Sequence, residues 1–170
     1  NGAIAFNQSL NSWNTSNVTD MSNMFNGAIV FNQPLDKWDV SNVTETGAMF
    51  AGTLAFNQPL NDWNFKKLTN ISSMFEDAVA FNQPINDWNI SKVYGVHRLF
   101  KGAQAFNQPL DKWDVTNVDE MSYMFQDTLV FNQNLSSWCV SKIDSEPYYF
   151  SEGNAVWTLP KPVWGTDGGT

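Results

Sequence analysis

The chain repeats itself every 25 residues, six times over, with no insertion or deletion between copies. Phe6, Phe31, Phe56, Phe81, Phe106 and Phe131 are each followed by Asn-Gln. Trp13, Trp38, Trp63, Trp88, Trp113 and Trp138 stand seven residues after those Phe. Phe25, Phe50, Phe75, Phe100, Phe125 and Phe150 close the units. A fixed period of this length is the signature of stacked repeats. So short a unit cannot bury its apolar side chains alone, so the copies must lie against one another. The expected architecture is a repeat solenoid, with residues 1–150 forming the six repeats.

The period fails after Phe150. Val156-Trp157-Thr158-Leu159-Pro160 echoes Phe-Asn-Gln-Pro-Leu only loosely. A repeat array needs an atypical end that shields its last open unit. Residues 151–165 are expected to be that cap, with Pro160 and Pro162 stopping further repeats, and residues 166–170 a linker. At the other end, Asn1-Gly-Ala-Ile-Ala-Phe6 copies the tail of a unit, Asn26-Gly-Ala-Ile-Val-Phe31. The sequence therefore reads as a piece of a longer protein. Its first unit, with Phe6 and Trp13, is expected to lie open, which leaves room for end-to-end self-association.

Counting from each unit's Phe as position zero, apolar residues recur at positions 4, 7, 9, 12, usually 15, then 18, 19 and 22. Trp38 and Val40, at positions 7 and 9, alternate with polar neighbours as in a strand. Positions 12, 15, 18 and 19 suit a second short strand followed by a tight helical turn. Leu35-x-x-Trp38-x-Val40 has the L-x-x-L-x-L form of a leucine-rich repeat, in which one strand per coil lines a curved sheet. Pro34, just before it, removes no ladder hydrogen bond.

The pattern F-N-Q-P-L-x-x-W-x-V-S-x-V-x-x-M-x-x-M-F-x-x-A resembles the bacterial surface protein repeat of the mycoplasma lipoprotein type. It is also similar to the BspA-like leucine-rich repeats, with Leu110, Trp113, Val115, Val118, Met121 and Phe125 filling the corresponding positions. The resemblance implies a leucine-rich-repeat-like right-handed coil, with the second strand and helical turn on its convex side. It implies a cell-surface or secreted, extracellular location and a role in adhesion, and it supplies no catalytic residues. The sequence departs from the pattern at Phe65-Lys66-Lys67-Leu68, at Val93-Tyr-Gly-Val-His-Arg-Leu99 and at Glu146-Pro147.

Charge narrows the partners. The net charge is −8. Nucleic acid needs clustered Lys and Arg, and an anionic membrane surface needs the same. No apolar run approaches the ~18 residues of a membrane helix. One cysteine, Cys139, excludes an internal disulfide. One histidine, His97, on a different unit from Cys139, leaves that thiol without a base. The chain is expected to be no enzyme and to need no cofactor.

Repetition builds surfaces. Positions 6, 8 and 10 point away from Trp and Val, and position 8 is Asn or Asp in five of the six units. Asn14, Lys37, Asp39, Asp62, Asn64, Asp87, Asn89, Lys112 and Asp114 are therefore the candidate ligand-binding row on the concave strand face. The expected ligand is a protein or glycan of a host or neighbouring cell. The row's other explanation is a polar face kept wet against aggregation, which fits a structural spacer or stalk displaying another domain. A third alternative is binding to ice or a polysaccharide surface through Thr19, Thr44 and Thr69, but that row changes to Tyr94 and Asp119. Calcium at Asp36, Asp39, Asp111 and Asp114 would need six to eight converging oxygens. These carboxylates lie on separate units and alternate with Lys37 and Lys112, so no metal site is expected. Asn32, Asn57, Asn82, Asn107 and Asn132 are expected to form a ladder of amides that satisfies backbone groups of the next unit.

Overall fold

A unit with few local backbone partners must find them in its neighbour. In the computed structural model, which describes residues 2–168, each unit lies against the next and equivalent residues pair at the repeat spacing. The closest approach of the backbones falls at positions 14 to 21. Single-residue parallel bridges join Asp20 to Glu45, Glu45 to Asn70, Asn70 to Gly95 and Gly95 to Glu120. Beyond that column the backbone alternates. Asn23, Phe25 and Gly27 donate their N–H groups to Gly47, Met49 and Ala51 of the next unit, at 2.9, 2.9 and 2.8 Å. The N–H groups between them turn inward: Met24 donates to Met21 at 3.2 Å and Asn26 to Asn23 at 3.2 Å. Units two to four repeat the scheme, for example Ala48 to Ser72 and Phe50 to Met74, both at 2.9 Å.

This alternation requires left-handed backbone at two positions per unit. Asn23 (φ 59°), Ala48 (53°), Ser73 (57°), Arg98 (55°) and Tyr123 (61°) occupy the first, position 17. Position 21 is Gly27, Gly52, Asp77, Gly102 and Asp127, all with positive φ. Glycine and Asp tolerate that conformation; Ala, Arg and Tyr pay about 1–2 kcal/mol each.

Two expectations about local structure are corrected. The segment Leu35–Val40, expected as the concave strand, forms no strand. Trp38 N–H closes a turn onto Leu35 O at 3.1 Å, and Val43 N–H closes another onto Val40 O at 3.0 Å. The polar residues at positions 5, 6, 10 and 11 are turn formers, and the three-residue spacings Leu-to-Trp and Val-to-Val match a turn's i to i+3 bond. No α-helix occurs among the described residues either: the expected helical turn is a run of overlapping tight turns.

The apolar positions converge inside. Phe25 stacks on Phe31 at 4.1 Å between ring centroids, and Phe50–Phe56, Phe75–Phe81 and Phe100–Phe106 repeat this at 4.1, 3.9 and 4.0 Å. Each pair stacks on the next, as Phe25 on Phe50 at 5.5 Å and Phe31 on Phe56 at 5.9 Å. Trp38 lies parallel to Trp63 at 6.5 Å, within 3°. Trp38, Trp63, Trp88, Trp113 and Trp138 are buried, and each indole N–H donates to the carbonyl of Leu10, Leu35, Leu60, Ile85 or Leu110 one unit back. A buried indole needs that partner. Trp13 has no such cover and is 53% exposed.

The amide ladder forms. Asn32 Oδ1 accepts the N–H of Asn57 and the Gln58 side-chain amide, both at 3.0 Å. Asn57, Asn82 and Asn107 do the same for the units after them.

At the C-terminal end the register slips. Arg98 donates to Ser122, 24 residues on, but Tyr123 donates to Tyr148, 25 residues on. The left-handed residues of the sixth unit move accordingly, to Tyr149 (φ 53°) and Gly153 (77°). Trp157 then packs edge-on against Phe125 and Phe131, at 78° and 84°. The tail covers positions 0 to 12 of the sixth unit through Leu135 N–H to Pro160 O, Val140 N–H to Thr166 O and Gly165 N–H to Ile143 O. Thr166, expected in the linker, is thus docked; Gly169 and Thr170 of that linker lie outside the described residues.

Replacing Ala48 by Gly relieves left-handed strain without removing a packed side chain. We expect a gain of about 0.5–1 kcal/mol in urea denaturation. Asn82→Ala strands the Asn107 N–H, leaves the Gln108 amide with only the Asn82 main-chain carbonyl, and should cost about 1–3 kcal/mol in the same assay.

Candidate binding face

The residues expected to bind a ligand come out as aligned rows. Asn14, Lys37, Asp39, Asp62, Asn64, Asp87, Asn89, Lys112 and Asp114 are all exposed. They lie on turns rather than on a strand, and the two positions differ in what they do.

Four of the five Asn and Asp side chains at position 8, all but Asn64, turn to their own backbone. Asp39 Oδ1 accepts the Ser41 N–H at 2.9 Å, Asn89 the Ser91 N–H at 3.2 Å, Asn14 the Ser16 N–H at 3.1 Å and Asp114 the Thr116 N–H at 3.1 Å. Asn14 and Asn89 also accept the following serine hydroxyl, both at 2.7 Å. These are Asx turns, which the short Asn and Asp side chains form without help from other units. The Ser41 hydroxyl, with the Ser41 N–H, holds the Asp39 carboxyl below the ordinary carboxylate range. The equivalent Cys139 is half-buried, with Sγ 3.6 Å from Asp167 Oδ1 in the docked tail.

Position 6 faces solvent. Lys112 Nζ reaches Asp87 Oδ1 at 2.8 Å across two units, and this contact raises the Lys112 pKa. Both groups are well exposed, so the pair is worth little in stability. Beneath this row, position 5 locks neighbours together. Asn11 donates to Asp36 Oδ1 at 2.8 Å while its own Oδ1 accepts the Lys37 N–H at 3.0 Å. Asn86 does the same with Asp111 and Lys112. Asp36 and Asp111 are therefore engaged between units.

The Thr row turns inward to the backbone. Thr44 and Thr69 hydroxyls each donate to the threonine carbonyl of the preceding unit, both at 3.0 Å.

Two surfaces escaped the sequence reading. Ile29, Val30, Leu54, Leu129 and Val130, at positions 23 and 24, are exposed. Arg98 sits 5.1 Å over the Tyr123 ring, His97 meets the same ring edge-on at 5.5 Å, and Tyr148 and Tyr149 flank it at 5.4 and 5.5 Å. The signal for this cluster lay in the departures from consensus at Val93–Leu99 and in the tyrosines that replace Ser and Asn at position 17.

The period, the paired backbones and the shared columns define a tandem-repeat protein. A family model described as Mycoplasma protein of unknown function, DUF285, matches residues 1–83 and 62–159 in two overlapping stretches, and the chain belongs to that family. No curated protein and no solved structure matches it.

The Asp39 carboxylate is favoured in the folded state, so its contribution is present above the unfolded carboxyl pKa of ~3.9 and is lost as pH falls through the lower folded value. Asp39→Asn keeps the acceptor and removes the titration, as Asn14 and Asn89 illustrate. Thermal melts from mildly to strongly acid pH should therefore drop less for Asp39→Asn than for the wild type.

Proposed function

We propose that the chain is a non-catalytic binding module of a cell-surface or secreted protein, with a protein or glycan ligand lying across the position 6 and position 8 row. The carrying observation is the exposure of all nine candidate side chains, held in register by the ladder beneath them. A rigid row presents hydrogen-bonding groups at little ordering cost on binding. Of the two positions, 6 is the freer to reach a ligand, because at position 8 Asn14, Asp39, Asn89 and Asp114 are engaged in their own turns and Asn64 alone is not. The net charge of −8 keeps nucleic acid out of the partner list.

The stack is best understood as a right-handed solenoid related to the BspA-like leucine-rich repeats. Support comes from the aligned apolar positions 4, 7, 9 and 12, which are buried in nearly every unit. The turns that replace the expected strand set this chain apart within that resemblance. Placement outside the cell rests on the resemblance alone.

The spacer alternative draws support from the Asx turns: a position 8 that serves the backbone has less left for a ligand. Ice or polysaccharide binding loses its threonine row to the backbone carbonyls.

A glycan and matrix-protein array would supply a ligand. Lys37, Asp62, Asp87 and Lys112 would then be changed together to Ser, the residue already at this position in Ser12 and Ser137. The binding reading expects at least tenfold weaker capture with an unchanged melting temperature. Unchanged capture, or an array on which nothing is captured, supports the spacer instead.

A further inference from the structure

The cations of this acidic chain are unevenly matched with carboxylates. Arg98, Lys101, Lys112 and Lys161 each reach one, at 3.9, 3.1, 2.8 and 3.8 Å. Lys66, Lys67 and Lys92 reach none among the described residues, yet all three are exposed and lie on the adjacent third and fourth units. They are departures from the repeat. Positions 10 and 11 read Ser41-Asn42 in the second unit and Thr116-Asn117 in the fifth, but Lys66-Lys67 in the third and Ser91-Lys92 in the fourth. No Asp or Glu occurs between Asp62 and Glu76, or between Asp87 and Asp111. A basic patch is thus confined to the middle of the stack, with Asp39 and Asp114 on the flanking units.

The ammonium groups are tethered. Lys67 Nζ donates to Asn42 Oδ1 at 2.8 Å, and Asn42 Nδ2 donates to Ser16 O at 2.8 Å. Lys92 Nζ donates to Lys66 O at 3.2 Å. An ammonium has three N–H donors, so each keeps others for a ligand, and the tether lowers the ordering cost of binding. Phe65, just before the lysine pair, is buried, with its ring edge-on to Trp63 at 5.8 Å and to Trp88 at 5.1 Å. Two further groups border the patch. Tyr94 stands where the first three units carry Thr and is 50% exposed. Asn64 is the position 8 amide that no turn engages.

We propose that Asn64, Lys66, Lys67, Lys92 and Tyr94 bind an acidic glycan. The lysines take the carboxylate or sulfate of a sugar through charge-assisted hydrogen bonds. The Tyr94 ring offers an apolar face to a pyranose, and the Asn64 amide meets its hydroxyls. This rests on the binding reading above and names its ligand class. A nucleic-acid duplex or an anionic membrane would carry phosphates past the patch onto Asp39 and Asp114; a short acidic sugar need not extend so far.

The test is titration of the whole chain, followed by backbone amide shifts, with four probes: hyaluronan and heparin oligosaccharides, neutral dextran and polyglutamate. The variant Lys66→Ser, Lys67→Asn, Lys92→Asn carries residues that other units already have at these positions, and its melting curve checks that it folds. Shifts centred on residues 64–69 and 89–94 are expected with hyaluronan, heparin or both, and none with dextran. Binding should weaken as salt rises and fall roughly tenfold or more in the triple variant. Response to hyaluronan alone assigns a carboxylate, and to heparin a sulfate. The proposal is overturned if neither acidic glycan moves these residues, if the triple variant binds them undiminished, or if polyglutamate binds as tightly, which marks an acidic peptide site. Capture of a different ligand that depends on Lys37, Asp62, Asp87 and Lys112, with no response to either acidic glycan, overturns this proposal and leaves the binding module standing.

Discussion

The structure depends on a backbone in which alternate N–H groups serve the unit's own turn and the next unit. Two left-handed residues per unit make this alternation, and they explain why position 21 is always Gly or Asp in the first five units. Such a scheme gives most N–H groups between units an acceptor and needs no strand longer than a single bridge. It also forbids length variation, since one extra residue would swap inward and outward N–H groups. The slip between Ile143 and Tyr148 shows the consequence. Pro147, with no N–H to give, falls where the pairing changes register, and the regular stack ends there.

Side chains reinforce the same spacing. The Phe pairs and the indoles fill the interior, and each indole N–H is tied to the unit behind it. The Asn-Gln pair does the equivalent work on the outside. One Oδ1 accepts a backbone N–H and a Gln amide from the following unit, so two residues satisfy three polar groups. Aromatic columns supply apolar burial, which has no direction. The amides and the backbone bonds have one, and they decide which unit lies beside which.

That arrangement divides the polar surface into working parts. Side chains at positions 5 and 8 hold turns and neighbours in place, and those at position 6 are left to meet solvent or a ligand.

Much of this was legible in the residues. The period located every unit, the Phe and Trp columns named the core, and the Asn ladder bonds as its residue type suggests. The exposed row was also correctly placed at the surface. What could not be read was the backbone within the unit. Leu-x-x-Trp-x-Val is as compatible with a strand as with two turns, because both put the same side chains inside. Only the folded chain chooses between them, where the Trp38 N–H closes onto Leu35 O and the Lys37 N–H goes to Asn11 Oδ1 of the neighbouring unit. The same holds for position 8: its Asn and Asp signalled polarity, but whether the side chain faces a ligand or its own turn depends on φ and ψ that the sequence does not state. Repetition by itself determined that equal units must stack. Which backbone groups turn inward and which reach the neighbouring unit was decided only when the chain was folded, because that depends on φ and ψ.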